Sequence, residues 1–349
     1  MHTCAFTHSN PSPSDIQTFL ARKLVGQPAA IAAIVPYIQM YRASLSPAGR
    51  PAGIFLLLGP TGTGKTKTVE ALAEVLHGTP KKLLKIDCGE FQLEHEVAKL
   101  IGAPPGYLGH RETQPALSQQ KINAVASESS DLSIVLFDEI EKAAPSMVRL
   151  LLGVLDKGTL RLGDNTQANF ERSVIFLTSN LGAKEMSRAV HPEFGLEALV
   201  ADAGEGAGAK LDRIGSNAVR RCFPPEFLNR IDAVVTYHPL DEKAMNAILD
   251  QQVREFQEHL DRRLGDRTFE VEVPQRARRF LLERGISVEY GARELKRTLL
   301  RQLVQPLASL VAAGEIAPGA HIRADLDRKK DHLVLIETDG AEEALLPAC

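Results

Sequence analysis

The chain has 349 residues, enough for two domains with well-filled cores. Its net charge of −3 supplies no general pull toward nucleic acid or anionic lipid. No apolar run reaches the roughly 18 residues that a bilayer span needs, and Met1-His2-Thr3-Cys4 lacks the charged-then-apolar layout of a signal peptide, so a cytoplasmic protein with no nucleic-acid and no membrane partner is expected. Cys4, Cys88, Cys222 and Cys349 are widely spaced with no C-x-x-C pair, which argues against a disulfide framework and against a zinc site. The basic stretch Arg276-Ala277-Arg278-Arg279 reads as a solvated helix face.

Residues 1–13 are polar and proline-bearing and read as a flexible leader, with the fold starting near Ser14. Continuous apolar runs then recur between helical patterns: Ile54 to Leu58, Leu83 to Asp87, Ile134 to Asp138, Val174 to Thr178 and Ala233 to Tyr237. Continuous runs, unlike alternating ones, indicate strands buried on both faces, and their separation by helices predicts a doubly wound parallel α/β sheet. In such a sheet the ligand site lies at the carboxyl ends of the strands. The small-residue stretch 201–209 reads as a surface loop. After His238-Pro239-Leu240 the pattern changes to long charged helices from Glu242 to Leu264, a short strand near Phe269 to Val273, more helix, and a last strand near His332 to Ile336. The expected division is a large domain at 14–237, a smaller, mostly helical one at 238–340, and a tail at 341–349.

Between the first apolar run and a helix start stands Gly59-Pro60-Thr61-Gly62-Thr63-Gly64-Lys65-Thr66, the pattern G-x-x-x-x-G-K-[ST]. The glycines let successive backbone N–H groups turn inward around phosphate oxygens at a positive helix N-terminus. Lys65 can then reach the β- and γ-phosphates, and the Thr66 hydroxyl can hold Mg²⁺. Asp138 and Glu139 end the third run; they form either a solvated turn or a pair in which Asp138 holds Mg²⁺ through water and Glu139 takes a proton from the attacking water. Asn180, after the fourth run, is a turn former or an amide that orients that water. Arg230 and Arg293 are surface ion-pair residues or cations that stabilise γ-phosphate charge.

Taken in order, these motifs resemble the Clp class of AAA+ protein unfoldases, most closely the C-terminal ATPase module of ClpB-type chaperones, from about Leu24 to Ile336. The stretches that carry the resemblance include Val25-Gly26-Gln27, the phosphate loop, Gly102 to Gly109, Phe137 to Ala143, Thr178 to Gly182, Pro225 to Asp232 and Gly291-Ala292-Arg293. The resemblance implies an AAA+ fold, a five-stranded parallel sheet sandwiched by helices with a small, mostly helical α+β lid, using ATP and Mg²⁺. It also implies an adenine pocket at Val25 to Gln27, a sensor asparagine at Asn180, and a sensor arginine at Arg293 acting on its own subunit's nucleotide. Arg230 becomes the finger donated to a neighbouring subunit, which in this family requires a ring, a hexamer.

Gly106-Tyr107-Leu108-Gly109 is similar to the pore loop with which such rings grip unfolded or misfolded clients by apolar contact; outside the family it would be a proline-glycine turn. Beyond it, His110-Arg111-Glu112-Thr113-Gln114 replaces the aromatic, acids and glycines usual in the family. Glu193-Phe194-Gly195-Leu196 is either a packing anchor or a faint likeness of the tripeptide that docks a Clp-type peptidase. The expectation is therefore an ATP-hydrolysing ring that threads polypeptide through a pore. The alternatives are an ATP-gated switch that assembles or loads a complex, and the ATPase subunit of a peptidase.

Overall fold

Residues 13–102, 115–190, 206–285, 291–327, 331–339 and 342–345 are described by a computed structural model. The leader up to residue 12, Gly106 to Gly109, the Phe194-Gly195-Leu196 segment and residues 201–205 lie outside that set.

Each expected apolar run forms a strand. They are β1 (Gly53–Leu58), β2 (Leu84–Asp87), β3 (Ser133–Asp138), then, after a hairpin of β4 (Thr159–Arg161) and β5 (Gln167–Asn169), β6 (Ser173–Ser179) and β7 (Ala233–Thr236). Five of them pair in the order β2-β3-β6-β1-β7, all parallel. All six residues of β1 are buried, as are all seven of β6. Helices therefore cover both faces, and alternate residues of one strand feed different cores.

Phe55, Leu57, Ile134, Leu136, Val174 and Phe176 pack with Ile34 and Ile38 of the helix Pro28–Arg42 and with Val69 and Leu72 of the helix Lys65–His77. Ile54, Leu56, Val135, Phe137, Ile175 and Leu177 meet Met147 and Leu151 of the helix Pro145–Lys157. The Phe55 and Phe176 rings stack at 5.3 Å between centroids. Each such side chain contributes about 1.5–3 kcal/mol by leaving water.

The chain divides into two compact units, the main break falling between His238 and Pro239, with Thr61–Thr63 grouped with the second. The C-terminal unit holds the helix Glu242–Leu264, two further helical stretches, and a sheet of β8 (Glu270–Glu272), β9 (His321–Leu326), β10 (Leu333–Asp339) and β11 (Glu342–Leu345) in the order β11-β10-β9-β8. Residues 342–345 thus extend a sheet through antiparallel pairing with β10 instead of forming a tail. Leu249 and Val253 of the long helix pack there with Leu281, Leu295, Leu303, Ile322 and Ala324. The expected loop at 201–209 is also corrected in part, since the helix Ala207–Cys222 begins inside it. Alanine favours helix, and Leu211 and Val219 give that helix a buried face, which outweighs the local glycines. Among the described residues, no helix is long and apolar enough to cross a membrane.

His77 ends the helix behind the phosphate loop and is buried, with Nδ1 2.8 Å from the Ser127 Oγ. Burial, and secondarily the charge of Lys82, pushes its imidazole down from 6.5 to about 4, against a backbone hydrogen bond to Leu132. The unfolded chain therefore takes up the proton first as pH falls, so stability is fully present above about 6.5 and is lost between there and about 4. Urea denaturation at pH 7 and pH 5 should show the wild type losing more stability on acidification than His77→Gln. Equal losses would remove His77 as the cause.

Candidate active site

The parallel register sets the site before any side chain does. Leu58 at the end of β1 is level with Ser179 of β6 and with Thr236 of β7, while Phe137 of β3 is level with Leu177. Three chain segments therefore leave the sheet together: the phosphate loop after β1, the acid pair at the end of β3, and Asn180 after β6.

The loop turns on glycines with positive φ, Gly59 at 136°, Gly62 at 77° and Gly64 at 105°, and Gly64 caps the helix Lys65–His77. Gly59 is required for a second reason: a Cβ there would stand 2.3 Å from the Tyr237 carbonyl oxygen. Tyr237 is itself fully buried and donates its hydroxyl to Thr68 Oγ1 at 2.7 Å, tying the end of β7 to the helix that follows the loop.

Lys65 is only 8% exposed, yet it is fully occupied. Its ammonium donates to the carbonyls of Gly59 (2.6 Å) and Pro60 (2.9 Å) and to Asn180 Oδ1 (2.8 Å). The other end of the Asn180 amide donates to Glu139 Oε1 at 3.0 Å, and the Asn180 backbone N–H donates to Glu141 Oε1 at 2.9 Å. Glu139 Oε2 accepts from Lys142 at 2.5 Å. Lys65, Asn180 and Glu139, widely separated in sequence, thus form one hydrogen-bonded line. Glu139 stands in left-handed backbone conformation, φ 57° and ψ 54°, an arrangement that costs on the order of 1 kcal/mol or more and is found where structure must aim a side chain.

Asp138 is held from both sides: Thr178 Oγ1 donates to Oδ1 at 2.5 Å and Lys85 Nζ meets Oδ2 at 2.7 Å. Thr178 Oγ1 also accepts from the Glu139 N–H at 3.0 Å, so one hydroxyl joins both acids. Burial opposes ionisation of Asp138, but the hydrogen bonds from Lys85 and Thr178 and the charges of Lys85 and Lys65 outweigh it and keep the carboxyl below its ordinary range. Nearby Cys88 is pushed the other way, first by burial and then by the charges of Asp138, Asp87, Glu141 and Glu139, and its thiol is inert.

The donor set suits a triphosphate with a hard cation. A buried ammonium now spends its hydrogens on loop carbonyls, a hydroxyl-bearing Thr66 follows it, and Asp138 stays ionised. Thr66 and Asp138 are the residues that would hold Mg²⁺.

Val25 is half-buried and Gly26 has φ 76°. Gln27, buried, donates from Nε2 to the His238 carbonyl at 3.0 Å, so the end of β7 also fixes this segment. Arg230 is not brought to Lys65. It precedes β7 at the amino end of the sheet, where the Asp232 N–H donates to the Ile54 carbonyl and Arg50 bridges the Arg230 carbonyl (3.3 Å) and Asp232 Oδ1 (2.9 Å). The Arg230 guanidinium bonds the Glu226 carbonyl and lies 3.6 Å from Asp156. From Ile54 to Leu58 the strand alone spans roughly 13 Å. Arg293 is exposed in the first turn of the helix Ala292–Leu299 of the C-terminal unit. Tyr107 lies outside the described residues.

Sequence reasoning passed over Lys85, Glu141 and Lys142 as contacts of the acids and of Asn180, and gave Thr178 no role beyond its place before Asn180. Lys85 and Thr178 carry no motif of their own, because their function depends on which strands flank β3. Lys142 left a signal, its i+3 spacing from Glu139.

Residues 50–234 match the AAA domain family of the Cdc48 subfamily, and residues 240–324 match the C-terminal D2-small domain of ClpB protein. The chain is 39% identical over 303 residues to the chaperone protein ClpB of Meiothermus ruber, covering 87% of this chain and 33% of that one. It is also 39% identical over 304 residues to ClpB of Rhizobium meliloti, covering 87% and 32%. The chain thus spans about a third of the length of these curated relatives. In three dimensions it is similar to the closed-state cryo-EM structure of Hsp104 with ATPγS and FITC casein, with a TM-score of 0.76 and 27% identity, covering 93% of this chain and 51% of that one.

Thr178→Val keeps volume but deletes the hydroxyl that joins the two acids, leaving the Glu139 N–H and one Asp138 oxygen without it. The expected cost is about 1–3 kcal/mol in urea denaturation, with ATP turnover reduced about tenfold or more by the misplaced acids. Wild-type stability and turnover would exclude Thr178 from the site's support.

Proposed function

Because the chain belongs to the AAA+ ATPases of the ClpB type, we propose that it hydrolyses ATP in a homo-oligomeric ring, a hexamer, and uses the energy to unfold polypeptide by drawing it through a central pore. The observation that carries the catalytic part is the line from Lys65 through Asn180 to Glu139. Incoming β- and γ-phosphates compete for the Lys65 ammonium, which ties the state of Asn180 and Glu139 to nucleotide. Thr66 and Asp138 would hold Mg²⁺, which would supply charge neutralisation on the phosphates. Glu139 then takes the proton of the attacking water, Asn180 orients that water, and Arg293 contributes positive charge from the same subunit.

The position of Arg230 supports action in trans. It sits at the opposite end of β1 from Lys65, anchored through Arg50 and Asp232, so it serves a site other than its own. Tyr107, between Gly106 and Gly109, is assigned the grip on clients, which are unfolded or misfolded proteins in the cytoplasm. Hsp104 was solved with FITC casein, which makes labelled casein a suitable probe.

Tyr107→Ala should keep ATPase activity within about twofold, since the proposed hydrolysis assigns the tyrosine no part, while casein-stimulated turnover and unfolding of a casein-fused reporter are lost. Retained unfolding would overturn the threading role. Arg230→Ala should lose most turnover alone and regain part of it when mixed with Lys65→Ala subunits, because each variant supplies what the other's site lacks. No recovery at any mixing ratio would overturn the trans assignment.

A further inference from the structure

We propose that Lys142 is the positioning residue of the base: it holds Glu139 Oε2 so that Oε1 alone faces the site and receives the water proton. This rests on the reading of Glu139 as the base. The two carboxylate oxygens have separate partners, Lys142 Nζ on Oε2 at 2.5 Å and Asn180 Nδ2 on Oε1 at 3.0 Å. Only the second partner is linked onward to Lys65.

The turn that brings Lys142 back is built to be rigid. Glu139 enters it in left-handed conformation, and Lys142 N–H closes a 3₁₀ turn on the Glu139 carbonyl at 2.9 Å. Ile140 is fully buried, and the Ala144 N–H donates to the Phe91 carbonyl at 2.8 Å, so both sides of the turn are pinned to the core. Lys142 itself is exposed and borders solvent outside that core. An exposed ion pair contributes little to stability. Its location on the reacting carboxylate gives it a different use: an ammonium on Oε2 prevents the rotation that would exchange the two oxygens, so Oε1 keeps a fixed angle and, beside the Asn180 hydrogen bond, a second lone pair for the water proton.

The test compares Lys142→Ala, Lys142→Arg and Glu139→Gln in the full chain by steady-state ATPase assay, binding of a fluorescent ADP analogue, and thermal melting. Lys142→Ala should lower kcat about tenfold while nucleotide affinity and melting temperature stay at wild-type values, and Lys142→Arg should recover most of the loss. Added to Glu139→Gln, Lys142→Ala should cause no further loss in single-turnover hydrolysis, because it acts through Glu139. Should Lys142→Ala fail to fold, Lys142→Gln replaces it. A wild-type kcat in Lys142→Ala with Glu139→Gln inactive overturns the positioning role alone, as does an additive double variant. Wild-type turnover in Glu139→Gln overturns the base assignment itself.

Discussion

The parallel register of β1, β3 and β6 is the constraint on which the site depends. Because Leu58 and Ser179 are level, and Phe137 and Leu177 are level, the chain must leave the sheet at one height three times. A slip of one residue in β3 would turn Asp138 from its present face to the other and bury Ile134, Leu136, Val135 and Phe137 against the wrong helices. The apolar cores therefore fix the chemistry: stacking of Phe55 on Phe176 and packing of Val135 and Phe137 on Met147 and Leu151 lock the register that aligns the acids with Lys65.

Within that frame the electrostatics are closed locally. Lys65 would be expensive to bury alone, and its cost is offset by two carbonyls and an amide. Asp138 is compensated by Lys85 and Thr178, Glu139 by Lys142 and Asn180. The two loop carbonyls are the exchangeable partners, because phosphate oxygens can replace them as acceptors for Lys65.

Arg230 illustrates the converse use of the same sheet. Asp232 accepts from the Ile54 N–H and from Arg50, and its burial, opposed by the Arg50 charge, raises its carboxyl somewhat. That latch holds the segment before β7 at the amino end of the strands, away from the phosphate loop. The same strand β1 thereby has the phosphate loop at one end and the anchored Arg230 segment at the other, the separation on which the proposed action in trans rests.

The sequence by itself determined what is encoded by neighbours along the chain. Five continuous apolar runs gave the strands to within a residue or so, glycines at 59, 62 and 64 gave the phosphate loop, and paired acids after an apolar run gave Asp138 and Glu139. It missed the β4–β5 hairpin and read residues 207–209, where the helix Ala207–Cys222 begins, as part of a loop, because short three-residue strands and alanine-glycine stretches leave weak local signals. It underestimated the C-terminal sheet for a related reason, since β9 and β11 are defined by pairing more than by composition. Only the tertiary structure decided that Lys85 belongs to Asp138, that the Thr178 hydroxyl spans both acids, and that Lys65 reaches Glu139 through Asn180. Those contacts join residues on different strands, and which strands become neighbours is settled by packing across the whole sheet.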